Sequence, residues 1–336
     1  MSTIWDVAKL AGVSKSTVSR VMNNQPCSPA AKEAVLSAVK KLNYNPSVFA
    51  KNIRTQKSMA IAFMVPDVSN LFYTEIFKGI EDVAYRQEYM VTLCDTQNDP
   101  QHEIRYAEKL MQRKIDGLIY STYKMDISTQ QYFINLSKSL PIVFIDYAFK
   151  QYEDISIVAT EGYNSSREAV KFLYHKGKRN IAYINFPRDV EVTKLRYEGY
   201  KSGLEDCGLS FEPKRVYFPE IQNSIVDRST GYYGVKELIS SGIEIDAIMF
   251  AADPLAVGAL RYFKKEGIKI PDEISLIGFD NNAICEIIDP NLTTIAQPIR
   301  DVGTTSAQIL LNKINGVEND NDRIFFEGEL IQRKTT

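Results

Sequence analysis

Histidine and cysteine are scarce in this 336-residue chain, and each scarcity narrows the chemistry open to it. The two histidines, His102 and His175, are far apart and add nothing to a metal site. Four cysteines (Cys27, Cys94, Cys207 and Cys285) are scattered with no C-x-x-C pair, so neither a zinc knuckle nor a disulfide framework is indicated. No apolar run approaches the ~18 residues of a membrane span, and no charged-then-apolar leader precedes Met1–Trp5. The G-x-G-x-x-G, phosphate-loop and G-x-S-x-G patterns are absent as well, which leaves an enzyme reading without support. Net charge is missing too, since 40 basic and 42 acidic residues leave −2. These absences lead to the expectation of a cytoplasmic globular protein with reduced thiols, no metal, no cofactor and no catalytic residues.

What is present is enough apolar sequence for about two domains, at 44% hydrophobic and 11% aromatic, which excludes disorder. The charge is also unevenly spread. Residues 1–57 hold nine basic and two acidic residues, and the remaining 279 hold 31 and 40. A head at +7 on a body at −9 suggests one module for a polyanion and another for a different task.

The head has a helical grammar. Ile4, Val7, Ala8 and Ala11 share one helix face, and Gly12 stops that helix. Ser14 is placed to cap a second helix, Lys15–Asn23, with Val18, Val21 and Met22 on its apolar side. Ser28-Pro29 starts a third, whose stripe is Ala31, Val35, Leu36, Val39 and Leu42. Two short helices about a glycine turn, completed by a third, make a helix-turn-helix. Lys15, Ser16, Thr17, Ser19 and Arg20 then face outward. Hydroxyls and long cations suit phosphate oxygens and the acceptor edge of guanine. A generic three-helix domain would also have a polar face, but no acid occurs between Val7 and Lys32.

The run Thr3-Ile4-Trp5-Asp6-Val7-Ala8-Lys9-Leu10-Ala11-Gly12-Val13-Ser14-Lys15-Ser16-Thr17-Val18-Ser19-Arg20-Val21-Met22-Asn23 closely resembles the head of the lactose-repressor (LacI/GalR) family. The likeness continues through Asn43–Pro46, Val65–Tyr73, Ile277–Asn281 and Leu292–Pro298. It implies that Lys15, Ser16 and Arg20 face bases in the major groove, that Thr17 and Ser19 hold phosphates, and that Asn23 belongs to the same surface. It also implies a hinge helix after Pro46 that forms on operator DNA, with Ala50 and Lys51 at the minor groove and Ile53 as the apolar wedge. Ile53 stands where leucine is usual, and its β-branch makes it stiffer. Lys51 replaces the commoner arginine.

From Met59 onward, β-rich runs alternate with amphipathic stretches. Expected strands are Met59–Val65, Met90–Asp95, Gly117–Ser121 and Ile142–Asp146, then Ile155–Ala159, Ile181–Asn185, Ala247–Phe250 and Ile274–Phe279. Two βα series imply two doubly wound parallel-sheet subdomains, with ligand at the carboxyl ends of the strands. The family resemblance implies the same α/β periplasmic-binding-protein-like body, with the strand Thr293–Ala296 and the helix after it returning to the first subdomain. Expected divisions are 1–46 (DNA binding), 47–57 (hinge) and 58–336 (effector binding and dimerisation). Within the last, 58–158 joins 291–320, and 159–290 joins 321–336.

The carboxylates Asp146, Asp253 and Asp280 fall at strand ends, and Arg196 opens an R-x-x-G-[FYW] pattern. By resemblance these residues, with Phe72 and Tyr73, contact the effector. Carboxylates with an arginine suit a polyhydroxylated ligand. Val190, Val192, Ala252 and the segment Ala159–Tyr163 depart from the commoner polar pattern and leave the sugar's identity open. A substrate-binding transport protein would share the body but not the head. The sequence thus points to a dimeric transcriptional regulator, in most relatives a repressor, that binds double-stranded operator DNA under a carbohydrate-derived effector. A corepressor- or partner-protein-dependent regulator is the alternative. No leucine-heptad tail follows Arg333, so a tetramer is not expected.

Overall fold

The computed structural model describes residues 2–22, 25–44, 57–123, 126–145, 152–188, 190, 193–219, 228–317 and 322–336. Asn23, Ala50, Lys51, Ile53 and Asp146 lie outside them, so the expectations placed on these five have no structural counterpart. The chain divides into two compact units, Met1–Met59 and Ala60–Thr336.

In the first unit, α1 (Ile4–Ala11) begins at a capping box: Asp6 N donates to Thr3 Oγ1 at 3.4 Å, and Thr3 N donates to Asp6 Oδ2 at 2.8 Å. It ends at Gly12, whose φ of 65° is the left-handed cap that glycine adopts without strain. Ser14 caps α2 (Lys15–Met22) by accepting from Thr17 N at 3.1 Å. Ser28 and Pro29 open α3 (Pro29–Leu42) as the sequence indicates. Val7, Ala8, Val18, Val21, Val35 and Ala38 form the core. Leu36 does not join it, being 49% exposed. Counting in steps of three and four from Val35 reaches Ala38 and Val39, and Leu36 lies about 100° further round the helix.

The second unit has two six-stranded sheets. In chain order the elements are β1 (Ala60–Val65), α4 (Leu71–Arg86), β2 (Met90–Asp95), α5 (Pro100–Gln112), β3 (Gly117–Tyr120), α6 (Ile127–Leu136), β4 (Ile142–Phe144), β5 (Ser156–Glu161), α7 (Tyr163–His175), β6 (Ile181–Ile184), α8 (Lys194–Asp206), β7 (Val216–Tyr217), α9 (Arg228–Ser240), β8 (Ala247–Phe250), α10 (Asp253–Glu266), β9 (Ser275–Asp280), α11 (Ile284–Ile287), β10 (Thr293–Ala296), α12 (Ile299–Ile314), β11 (Arg323–Glu327) and β12 (Glu329–Ile331). The first sheet runs β11-β5-β4-β3-β1-β2, all parallel; the second runs β12-β10-β9-β8-β6-β7, with only β12 antiparallel. Continuous apolar runs such as Ala60–Val65 are what strands covered by helices on both faces require.

Three expected placements need correction. The strand near Ile155–Ala159, grouped with the second βα series but cut at 158 by the expected division, belongs whole to the first sheet, because Ser156 and Ile157 pair with Val143 and Phe144 of β4. Thr293–Ala296 stays in the second sheet, in parallel register with Ile277–Asp280. Residues 323–327, expected in the second subdomain, add β11 to the edge of the first sheet beside β5. A short apolar run encodes its own extended state, but its sheet is decided by long-range pairing that local periodicity does not carry. The chain therefore crosses between sheets three times: at Gly162, at Gln297-Pro298 and at Gly328.

Candidate functional site

On α2, Lys15, Ser16 and Arg20 are exposed, while Thr17 and Ser19 are half-buried beside the helix core. The Lys15 ammonium lies 5.1 Å from the ring centre of Trp5, which is 66% exposed. This cation–π pair extends the polar face onto α1, and sequence reasoning missed it. Trp5 held no place in the apolar pattern, which was the available signal. The face therefore presents cations and short hydroxyls on a rigid helix, suited to a major groove.

The second site is built at the carboxyl ends of strands from both sheets. Asp280 closes β9 at φ 116° and is 4% exposed. Its Oδ1 accepts a 2.6 Å hydrogen bond from Gln297 Nε2 and lies 3.6 Å from Arg196 Nη1. The same Nη1 donates to the Ala251 carbonyl at 2.6 Å, and the guanidinium stacks 3.8 Å from the Phe279 ring centre. Gly162 makes this placement feasible, since a Cβ there would sit 2.7 Å from Arg196 Cγ. Burial raises the Asp280 carboxyl above the usual range, and the Arg196 charge opposes that rise.

Facing this polar group, Phe72 and Tyr73 at the start of α4 meet edge to face at 5.2 Å. Tyr73 packs 5.8 Å from Tyr123, which reaches across to Phe186 of the other subdomain at 6.1 Å. Asn70 Nδ2 donates to Tyr123 Oη at 2.7 Å and fixes that ring. Together these residues enclose a cavity of about 40 Å³. That is room for about three water molecules, so a sugar enters only if the subdomains part or side chains turn. Thr160 Oγ1, also at the cavity, is buried and has no hydrogen-bond partner among the described residues.

Four expected effector residues, Phe72, Tyr73, Arg196 and Asp280, thus converge on one cavity. Asp253 does not. It is fully buried behind the cleft, accepting from Thr294 Oγ1 at 2.6 Å and from Asn282 N at 2.8 Å. As the first residue of α10 it turns inward against Gly278, where a Cβ would fall 2.2 Å from its Oδ1. Burial raises its carboxyl, and the Thr294 hydroxyl offsets part of the effect. Sequence reasoning missed Asn70, Tyr123, Phe186 and Gln297. Tyr123, Phe186 and Gln297 follow a parallel strand within three residues, and that position was the usable signal. Among the described residues no group of metal-ligating side chains occurs, and no helix is long and apolar enough to cross a membrane.

A cationic helix-turn-helix with a two-sheet body holding a polar interdomain cleft defines a ligand-controlled DNA-binding regulator. Comparison with known proteins identifies the lineage. Residues 3–47 match the bacterial regulatory proteins of the lacI family, and residues 58–334 match the periplasmic binding proteins and sugar binding domain of that family. The ribose operon repressor of Halalkalibacterium halodurans is 33% identical over all of this chain and 97% of its own length. A periplasmic binding protein/LacI transcriptional regulator from Alkaliphilus metalliredigens, solved with D-xylulofuranose, is 31% identical (TM-score 0.70), covering 83% of this chain and 99% of that one. The Lac repressor dimer bound to operator shares the fold, with a TM-score of 0.86 at 24% identity over 99% and 98% of the two chains. The protein belongs to the LacI family: it is a DNA-binding transcriptional regulator with a helix-turn-helix head and a small-molecule effector domain.

Proposed function

We propose that a carbohydrate-derived effector binds between Arg196, Asp280 and Gln297 on one side and Phe72 and Tyr73 on the other. Relatives whose names and complexes involve ribose and D-xylulofuranose support a sugar. The observation that carries the reading is the buried Asp280 carboxyl held between the Arg196 guanidinium and Gln297, an acceptor next to a cation and beside aromatic faces. Such a group recognises vicinal hydroxyls through charge-assisted hydrogen bonds. Gln297 also stands at a crossing between sheets, so a ligand that draws on Asp280 acts directly on the connection between subdomains.

The cavity is too small for a sugar as it stands, so binding requires turned side chains or parted subdomains, and a parting of the subdomains is the change that would couple the site to the head. Effector and operator then alter each other's affinity reciprocally. At the head, Lys15, Ser16 and Arg20 read base edges while Thr17 and Ser19 hold phosphates. Two heads of a homodimer address a pseudo-palindromic operator. Residues 1–46 form the DNA-binding part and 47–57 the hinge, in which Ala50, Lys51 and Ile53 act at the minor groove. Asp146 takes part in effector recognition. The protein works in the cytoplasm and carries out no chemical step.

The test is operator binding by the full-length protein, titrated with neutral sugars, sugar acids and phosphosugars. Asp280→Asn keeps the shape and removes the charge. It is expected to leave operator affinity within twofold while weakening the effector response by tenfold or more. An Asp280→Asn protein that responds normally would place the ligand elsewhere.

A further inference from the structure

Beside the inner cavity lies a larger compartment of about 290 Å³, sharing Asn70, Phe186 and Ala252 as a common wall. Alone it approaches the lower end of the ~300–1,000 Å³ typical of small-molecule sites. Its other walls are aliphatic, from Leu71, Pro254, Val257 and Ile284, with Asp67, Arg228 and Asn282 supplying polarity.

Asn282 is the informative residue. It is 3% exposed, yet its Oδ1 has no hydrogen-bond partner among the described residues. A buried amide oxygen without a donor is costly, and a ligand hydroxyl would relieve it. The backbone is built to put it there. Asp280 and Asn281 both adopt positive φ, 116° and 60°, a conformation non-glycine residues adopt at a cost. That turn presents Asp280 to the inner cavity and Asn282 to the outer one. It is fixed from behind: Asp253 accepts from Asn282 N at 2.8 Å, and Arg333 Nη2 donates to Asn281 Oδ1 at 2.7 Å.

We propose that the two compartments, joined when the Phe186 partition swings aside and the inner cavity widens on binding, form one site for a two-ring carbohydrate, a disaccharide whose second ring occupies the outer compartment and donates a hydroxyl to Asn282. The inference rests on the reading of the inner cavity as the effector site and specifies its ligand class. Aliphatic walls with a polar rim suit a sugar ring, which has apolar C–H faces and hydroxyl edges. A planar nucleobase would call for aromatic walls, and here the aromatic side chain is Phe186 on the shared partition. Asp67 and Arg228 carry opposite charges, so the compartment offers no net charge to select a phosphate.

The test uses isothermal titration of the full-length protein with D-glucose, D-xylose, D-ribose, maltose, cellobiose, lactose, xylobiose and cytidine. One disaccharide should bind at least tenfold more tightly than its component monosaccharide. Val257→Trp, which fills the outer compartment, should weaken that disaccharide tenfold or more and its monosaccharide less than twofold. Asn282→Leu should weaken the disaccharide by up to about tenfold without loss of folding, as checked by thermal unfolding. A monosaccharide that binds as tightly as any disaccharide, with Val257→Trp without effect, overturns the second compartment and leaves the inner site standing. Preference for cytidine overturns the carbohydrate assignment. Binding of none of these probes overturns the sugar reading of the cleft and this inference with it.

Discussion

Among the described residues the head fully buries six hydrophobic side chains, none larger than valine, with Met22, Leu42 and Tyr44 packed half-buried around them, whereas the body buries Tyr120, Tyr183, Tyr200 and Phe133 almost completely. Charge follows the same division. Among the described residues the head buries no charged group, while the body buries Glu103, Arg196, Asp253 and Asp280. A module of about 60 residues shields too little surface to bear the desolvation of an ion. It keeps its cations outside, where they remain available to DNA. The body has the interior to hold ions in fixed positions and so builds a ligand site from them.

The sharpest way to break this comparison is to give the head a buried charge. Val18→Asp is expected to cost at least 3 kcal/mol and to unfold the head. Operator binding should vanish in a mobility-shift assay while ligand-induced thermal stabilisation of the body persists. Loss of both together would mean that the two units do not fold separately.

Acid distinguishes the units next. Glu103, fully buried, accepts from Tyr120 Oη at 2.5 Å and Thr122 Oγ1 at 2.7 Å, and burial pushes its carboxyl up to about 7. A carboxyl raised on folding contributes stability that is present below its unfolded value near 4.5 and is lost as pH rises through 7. The stake is on the order of 3 kcal/mol. In the head, Asp6 is lowered by its bonds to Thr3, so its contribution runs the other way and fades as pH falls below 3.8. Denaturant titrations from pH 4 to 8 should show Glu103→Gln lessening the body's pH dependence, with Asp253 and Asp280 supplying the rest, and leaving the head's intact. An unchanged slope would remove Glu103 as its source.

Arg20→Ala comes third, relaxing base preference at one operator position by about 1–3 kcal/mol, read by competition among operator variants. Equal loss on every sequence would assign Arg20 to phosphate contact. The smallest effect is Thr3→Ala, which removes one side of the capping box and should destabilise the head by about 1 kcal/mol without moving the body's transition.

The head was legible because its signals are local. Caps at Ser14 and Ser28, the stop at Gly12 and a 3.6-residue apolar period each act within one turn of helix. The alternation of strands and helices in the body was legible for the same reason. Which sheet a strand joins was not: β10 and β11 were misassigned and β5 was divided between the two, because sheet membership rests on pairing that local sequence does not carry. The site divides likewise. Arg196 and Asp280 sit in recognisable patterns, but Asp253, also at a strand end, faces away because an adjacent glycine leaves space for it to turn under the sheet.

The three crossings between sheets also set the order in which the protein can be finished. The edge strands β11 and β12 are among the last residues of the chain, one on each sheet. A ribosome delivers the N-terminus first, at ~5–20 residues per second. The head's helices are complete at Leu42, long before either sheet can close. Until Arg323–Ile331 emerges, β5 and β10 stand as open edges able to pair with other chains. A chain truncated by its last fifteen or so residues would thus keep a folded head on a body with two unsealed sheets, prone to aggregate through both.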